Sequence, residues 1–308
     1  MPFFENFCEI GINFTNYLPT KYKNTVYHYT SINNWSNILL QEDCANEITL
    51  YASQIDCLND YMENQLASSL YYETIEELCD NGTLTLEAKK MLEKVKPSSF
   101  VPMKSKNIES YQDCNIYVSC FSKKDDLLNM WKYYSKGSIY EAISIGVNDG
   151  FEDSISGIKE PFKAMVLPVV YSKATQKKYI EHFTRDFAKK CGRFIEESDQ
   201  DVVDTFFGDA LLLWNTLFKA EGFKEEQEVR VIVFMPKANT SEAVRYRTSN
   251  QYIIPYIKLK INKEYVSEIR FGPMDEQRVT KNCLTLKDAL SGKFPSIIVS
   301  KSSMPLRY

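Results

Sequence analysis

The chain has 308 residues, 44% of them apolar and 25% charged, with 37 basic and 41 acidic side chains for a formal net charge of −4. Those proportions are ordinary for a globular protein long enough to bury a full core, and they exclude a fibrous or disordered chain. The acidic balance excludes a fold that is a basic nucleic-acid binder as a whole, although a local basic groove stays compatible with it.

The N-terminal Met1-Pro2-Phe3-Phe4-Glu5 lacks the basic-then-apolar pattern of a signal peptide. The longest apolar runs, near Ala164–Val170 and Ala210–Leu213, fall well short of the ~18 residues of a membrane span. The eight cysteines are scattered without a C-x-x-C spacing, which reads as reduced, buried thiols. A cytoplasmic protein is expected.

In chain order, residues 25–31 alternate and are rich in Val, Tyr and Thr, which predicts a strand. Ile32, Trp35, Ile38 and Leu39 mark a helix face over Ser31–Gln41. A long helix runs from Asp60 to about Leu78 and another over Thr85–Val95, before a Pro/Ser/Lys-rich loop at Lys96–Ser105. A strand (Ile116–Phe121), a helix (Asp125–Ser135) and strands at Ala142–Val147 and Met165–Tyr171 follow. The helix Gln176–Glu197 carries Tyr179, Ile180, Phe183, Phe187, Cys191 and Phe194 on one stripe. Val202–Ala220 is apolar nearly all round its middle, so it should be buried. Strands at Glu228–Met235, Tyr252–Leu259 and Val266–Phe271, a helix at Asp275–Ala289 and a strand at Ser296–Ser300 close the chain. Strands at both ends with helices between predict one α+β domain over residues 1–308, with a mixed sheet and an inserted helical block at about 174–221.

No P-loop, G-x-G-x-x-G, H-E-x-x-H or G-x-S-x-G pattern is present, and His28 and His182 are the only histidines. Kinase, zinc-protease and serine-hydrolase chemistry are therefore poor fits. Three segments remain. In Val26-Tyr27-His28-Tyr29-Thr30-Ser31, strand alternation places His28 beside Thr30 on one face, suited to holding a sugar hydroxyl or equally to satisfying a core imidazole. Val118-Ser119-Cys120-Phe121-Ser122 leads into a helix in which Leu127, Leu128, Trp131 and Tyr134 share a face. Ser122 and Asp125 match a capping box. Trp131 and Tyr134 read either as core or as the stacking wall for a flat heteroaromatic ring. In Lys224-Glu225-Glu226-Gln227-Glu228-Val229-Arg230-Val231-Ile232-Val233-Phe234, an extended strand would place Glu226, Glu228 and Arg230 on one face, as a solvated edge or as a cleft where Arg230 holds the acids ionised so that one can stabilise a developing cation. Asn59-Asp60…Glu63 is a lesser signal that a helix N-cap also explains.

Taken together, His28-Tyr29-Thr30-Ser31, Asn59-Asp60…Glu63, Cys120-Phe121-Ser122…Met130-Trp131…Tyr134 and Glu226…Glu228…Arg230 resemble the bacterial family called domain of unknown function 2971. So do Ile269-Arg270-Phe271-Gly272-Pro273 and Ser300-Lys301-Ser302…Pro305…Arg307 near the end. The order also resembles ADP-ribosyltransferases of the His–Tyr–Glu type. That resemblance implies a split mixed β-sheet with flanking helices and NAD as substrate. It implies that His28, Tyr29, Thr30, Ser122, Trp131, Tyr134 and Arg230 bind the dinucleotide, with Glu228 or Glu226 and His28 as catalytic residues. Tyr29 stands where many such enzymes have glycine. The implied activity is cleavage of the nicotinamide–ribose bond and modification of a protein or nucleic-acid acceptor, as in bacterial toxins or phage-defence effectors, with an antitoxin or regulator as a further partner. Arg245, Arg247, Lys173, Lys177 and Lys178 offer a basic rim for a nucleic-acid acceptor, or are simply solvated. Two other readings stand beside it: a non-catalytic binding or regulatory module, and a nuclease holding Mg²⁺ on Asp60, Glu63, Glu226 and Glu228.

Overall fold

Strand-forming stretches at both ends of the chain meet in one mixed sheet. The computed structural model describes residues 12–40, 46–57, 66–95, 114–135, 140–156, 158, 164–190, 200–236, 243–249, 251–294 and 296–304. The strands are β1 (Val26–Ser31), β2 (Glu47–Gln54), β3 (Cys114–Ser122), β4 (Ala142–Val147), β5 (Met165–Pro168), β6 (Glu228–Pro236), β7 (Arg245–Ser249), β8 (Tyr252–Asn262), β9 (Val266–Phe271) and β10 (Ile298–Lys301). The helices are α1 (Trp35–Leu39), α2 (Leu66–Asp80), α3 (Leu86–Leu92), α4 (Leu128–Tyr134), α5 (Lys173–Lys190), α6 (Gln200–Leu217) and α7 (Glu276–Leu290). The architecture is α+β, as expected.

The sheet branches at β3. One edge of β3 pairs along its whole length with β6, which pairs in turn with β5. The other edge is shared: Ser122 pairs with Tyr27 of β1, while Val118 and Tyr117 pair with Ser53 and Gln54 of β2. From there one arm runs β1-β4-β9-β10 and the other β2-β8-β7. All pairings are antiparallel except β9–β10.

Alternation along these strands makes two faces, each with its own core. On the first face Ile116, Val118, Ile232 and Phe234 pack under α2, α3, α5 and α6. The middle of α6 is buried as its composition predicts, with Phe206, Phe207, Ala210, Leu211, Leu213, Trp214 and Leu217 all enclosed. On the second face Tyr117, Phe121, Val229, Val231, Ile143, Ile145, Ile269 and Phe271 pack with α1 and α7. The short α4 covers the first face of the β1 arm, where Trp131 packs edge-on to Tyr29 with ring centroids 4.7 Å apart.

Four local expectations are corrected. Glu47–Gln54 and Arg245–Ser249 are additional strands. The helix expected from Asp125 begins at Leu128, with no side-chain cap, because Ser122 is still a strand residue whose hydroxyl donates to the Glu226 carbonyl at 2.8 Å. The strand expected to Tyr171 ends at Pro168, and Val170 instead forms a lone bridge with Phe218. Glu226 lies outside β6, in a 3₁₀ turn over Glu221–Glu226. Asn59, Asp60, Glu63, Cys191, Phe194, Pro305 and Arg307, and the loop at Lys96–Ser105, lie outside the described residues.

Candidate functional site

Between the turn 221–226 and the start of β6, Gln227 adopts a left-handed backbone with φ 48°. That conformation costs a non-glycine residue about 1–2 kcal/mol. It swings Glu226 back toward Glu228, so the two acids converge by a kink and not by strand alternation. Both meet Lys219, which follows the last turn of α6: its Nζ is 2.6 Å from Glu226 Oε2 and 3.2 Å from Glu228 Oε2. The third residue of β6, Arg230, donates Nε to Glu228 Oε1 at 2.8 Å and Nη2 to Oε2 at 3.1 Å. Its Nη1 donates to the Thr216 carbonyl at 2.7 Å, tying β6 to α6.

This is a buried ion cluster. The side chains of Arg230 and Glu228 are 1% and 5% exposed, and the Glu226 side chain at the rim is 15% exposed. Burial alone would raise the Glu228 pKa, but the Arg230 guanidinium and the Lys219 ammonium outweigh it and hold the carboxyl at about 2. The Cys120 thiol shares a hydrogen bond with Glu228, and burial beside that carboxylate pushes its pKa well up, so it stays protonated. The Glu228 amide donates to the Tyr171 hydroxyl at 2.9 Å. Tyr134 lies within electrostatic reach of Glu228 and Glu226, and burial raises its pKa as well. The Lys219 ammonium also stands 4.8 Å from the centre of the Phe223 ring. Half-buried Tyr134, Tyr171, Phe223 and Glu226 form the solvent-facing side of the cluster.

His28 is elsewhere. Tyr27, Ser122 and Glu228 are direct cross-strand partners, so their side chains share the first face, and His28 points to the second. There its ring meets Phe121 at 5.4 Å, and Nδ1 is 3.0 Å from the Cys120 carbonyl. A carbonyl only accepts, so Nδ1 carries the hydrogen and Nε2 the lone pair. Burial lowers the imidazole pKa, more than the Cys120 carbonyl raises it, and the ring is neutral near pH 7. Thr30, also on this face, accepts a hydrogen bond from Asn34 Nδ2 at 2.9 Å.

Several residues assigned to dinucleotide binding are engaged inside the protein. Tyr29 is 1% exposed, donating to the Lys124 carbonyl at 2.9 Å and accepting from the Leu127 amide at 3.1 Å. Trp131 is fully enclosed and donates Nε1 to Asp126 at 2.7 Å. Ser122 is fully enclosed and Arg230 nearly so. Of the two aromatics considered for stacking, Trp131 is fully enclosed and Tyr134 is half-buried, lying against Tyr29. The motif around Gly272 has a packing origin: a Cβ there would meet the Tyr140 carbonyl oxygen at 2.5 Å and Trp131 at 3.1 Å. Lys173 and Lys177 pair with Glu73 and Glu77 of α2. Arg245 and Arg247 lie on β7. Among the described residues no cluster of His, Cys, Asp and Glu is arranged to hold a metal ion.

The sequence reading did not include Lys219, Tyr171 or Asp126. Lys219 had a signal, as the lone cation closing an otherwise apolar helix just ahead of an acidic strand start. Asp126 accepts bonds from Trp131, Ser302 Oγ, and both the amide and hydroxyl of Ser303, which pins the chain after β10 onto α4.

No family model, curated protein or solved structure matches the chain significantly. The family resemblance therefore stands on the quoted residues alone. Among the described residues no helix is long and apolar enough to cross a membrane.

Proposed function

We propose that the protein is an NAD-using ADP-ribosyltransferase, and that the nicotinamide riboside end of NAD meets the rim formed by Glu226, Tyr134 and Tyr171. The observation that carries this reading is the paired carboxylate at the start of β6, with Glu228 held ionised by Arg230 and Lys219 and Glu226 placed outermost. The C1′–N bond of the nicotinamide riboside breaks with its electron pair leaving on nicotinamide. Glu226 faces the oxocarbenium-like ribose, and an acceptor nucleophile on protein or nucleic acid bonds C1′ as it gives up its proton to solvent water. Glu228 and Arg230 are positioning residues beneath it. His28 acts through β3: it bonds the carbonyl of Cys120, whose thiol bonds Glu228. The branching of the sheet at β3 is consistent with the split sheet that the resemblance implies, and a role as a toxin or defence effector follows from that resemblance.

The test is calorimetry with NAD alongside nicotinamide release for wild type and Glu226→Gln. The expected result is binding by both proteins and a loss of about 10²–10³-fold in release by the variant. Full release by a folded Glu226→Gln protein would remove that residue from the chemistry.

The second reading, a non-catalytic binding or regulatory module, is favoured by the saturation of Glu228. Both of its oxygens already accept bonds from Arg230 and Lys219. It predicts no release from either protein, and an absence of NAD binding at millimolar concentration would select it.

A further inference from the structure

The chain is acidic overall, yet no Asp or Glu occurs from Val244 to Lys263, a stretch holding Arg245, Arg247, Lys258, Lys260 and Lys263 together with Tyr246, Tyr252 and Tyr256. The β7–β8 hairpin and its pairing with β2 sort these residues by face. Arg245 is opposite Tyr256, which is opposite Ser53, and Lys258 is opposite Tyr51. Tyr51, Ser53, Tyr252, Tyr256, Lys258, Arg245 and Arg247 therefore share one face of the β2-β8-β7 arm. The other face of the same strands is core, with Ile48, Leu50, Ala52, Ile257, Leu259 and Ile261 buried.

The polar face combines aromatic rings with cations. Tyr51 and Tyr256 lie ring against ring with centroids 4.4 Å apart. Tyr252, at the hairpin end, is 73% exposed, and Arg245 and Lys258 are exposed beside the pair. Arg247 donates Nη2 to Ser53 Oγ at 3.0 Å, which ties its guanidinium to β2. Its Nε, and Thr49 Oγ1 on the same face, are enclosed without a hydrogen-bond partner. Among the described residues, Glu47 on the same face is engaged by Lys260 and Ser156, and Asp56 after β2 accepts from Gln54.

We propose that the β2-β8-β7 face binds single-stranded nucleic acid, with bases stacking on Tyr252 and the Tyr51–Tyr256 pair and phosphates meeting Arg245, Arg247 and Lys258. Exposed aromatics interleaved with cations are the combination that single strands require, since every base has a π-face and every linkage a charge. A duplex hides its bases and fits this flat stacking surface less well. The surface is separate from the ion cluster at Glu228, so the proposal holds whether or not the transferase reading does. Where both hold, it makes the bound strand the acceptor.

The experiment is fluorescence anisotropy with a labelled mixed-sequence 20-nucleotide RNA and its DNA counterpart, on the full chain, over a salt series. The expected result is binding with a log–log salt slope of about −2, from three cations on a single strand. Arg245→Glu and Lys258→Glu together, and Tyr252→Ala separately, should each weaken it at least about tenfold. Both sites are exposed, and circular dichroism of the variants reports that they remain folded. Absence of binding at low salt overturns the proposal. So does binding that Tyr252→Ala leaves unchanged and polyglutamate displaces equally well, which would mark a general polyanion or acidic-protein surface.

Discussion

The two arms that leave β3 treat their polar side chains in opposite ways. On the β1 arm, Tyr29, Ser144 and Arg270 all bond within the protein, to Lys124, Asp125 and Glu268 among others. On the β2 arm, Arg245, Lys258 and Tyr252 turn toward solvent. The residues that stand out as motifs mostly build the framework of the first arm and its junction with α6. The open surface lies on the arm whose sequence carries no motif. A motif residue is thus as readily an internal brace as a ligand contact, and burial decides between the two.

The sharpest way to break that contrast is Arg230→Met. It leaves Glu228 buried with only Lys219 opposite, so urea unfolding should show a loss of about 3–5 kcal/mol, and a loss near zero would make the cluster a surface ornament. Gly272→Ala comes next. Its new Cβ would press on the Tyr140 carbonyl and Trp131, which should lower stability by about 1–3 kcal/mol with a fall in Tm.

Acid titration separates the two faces of the β1–β3–β6 junction. His28, neutral when folded and with its pKa lowered by burial, favours unfolding as pH drops below the unfolded value of 6.5. Glu228, with its pKa depressed, keeps its full contribution above 4.5 and loses it as pH falls toward about 2. Denaturant midpoints measured from pH 8 to 2 should therefore fall in two stages, and His28→Phe should remove the upper one. The smallest effect is expected at the α2–α5 surface: Lys173→Ala should leave the denaturant midpoint nearly unchanged, because its Glu73 pair is exposed and screened.

Much of the fold was legible. Strands 26–31, 142–147 and 266–271 follow their alternating or β-branched runs, and α6 follows its all-round apolar surface. The strand Glu47–Gln54 alternates Ile48, Leu50 and Ala52 with Thr49, Tyr51 and Ser53, a readable pattern that the sequence reading passed over. Ser122 misled because a capping box is local, whereas its hydroxyl is claimed by the distant Glu226 carbonyl. The position of Glu226 depended on a left-handed Gln227, a conformation that a glutamine does not advertise. Most important for the site, the separation of His28 from Glu228 follows from the register of β1 on β3 and of β3 on β6. A shift of one residue would have put both side chains on the same face, and no local pattern sets that choice.

The proposed function puts NAD chemistry at the Glu226 rim on the first face and not at the His28 face. A crystal structure with an uncleavable NAD analogue tests it most directly. The expected result is the nicotinamide ring against Tyr134 and the ribose hydroxyls within hydrogen-bond reach of Glu226. Density for the analogue beside His28 and Thr30, with the Glu226 rim empty, would contradict it.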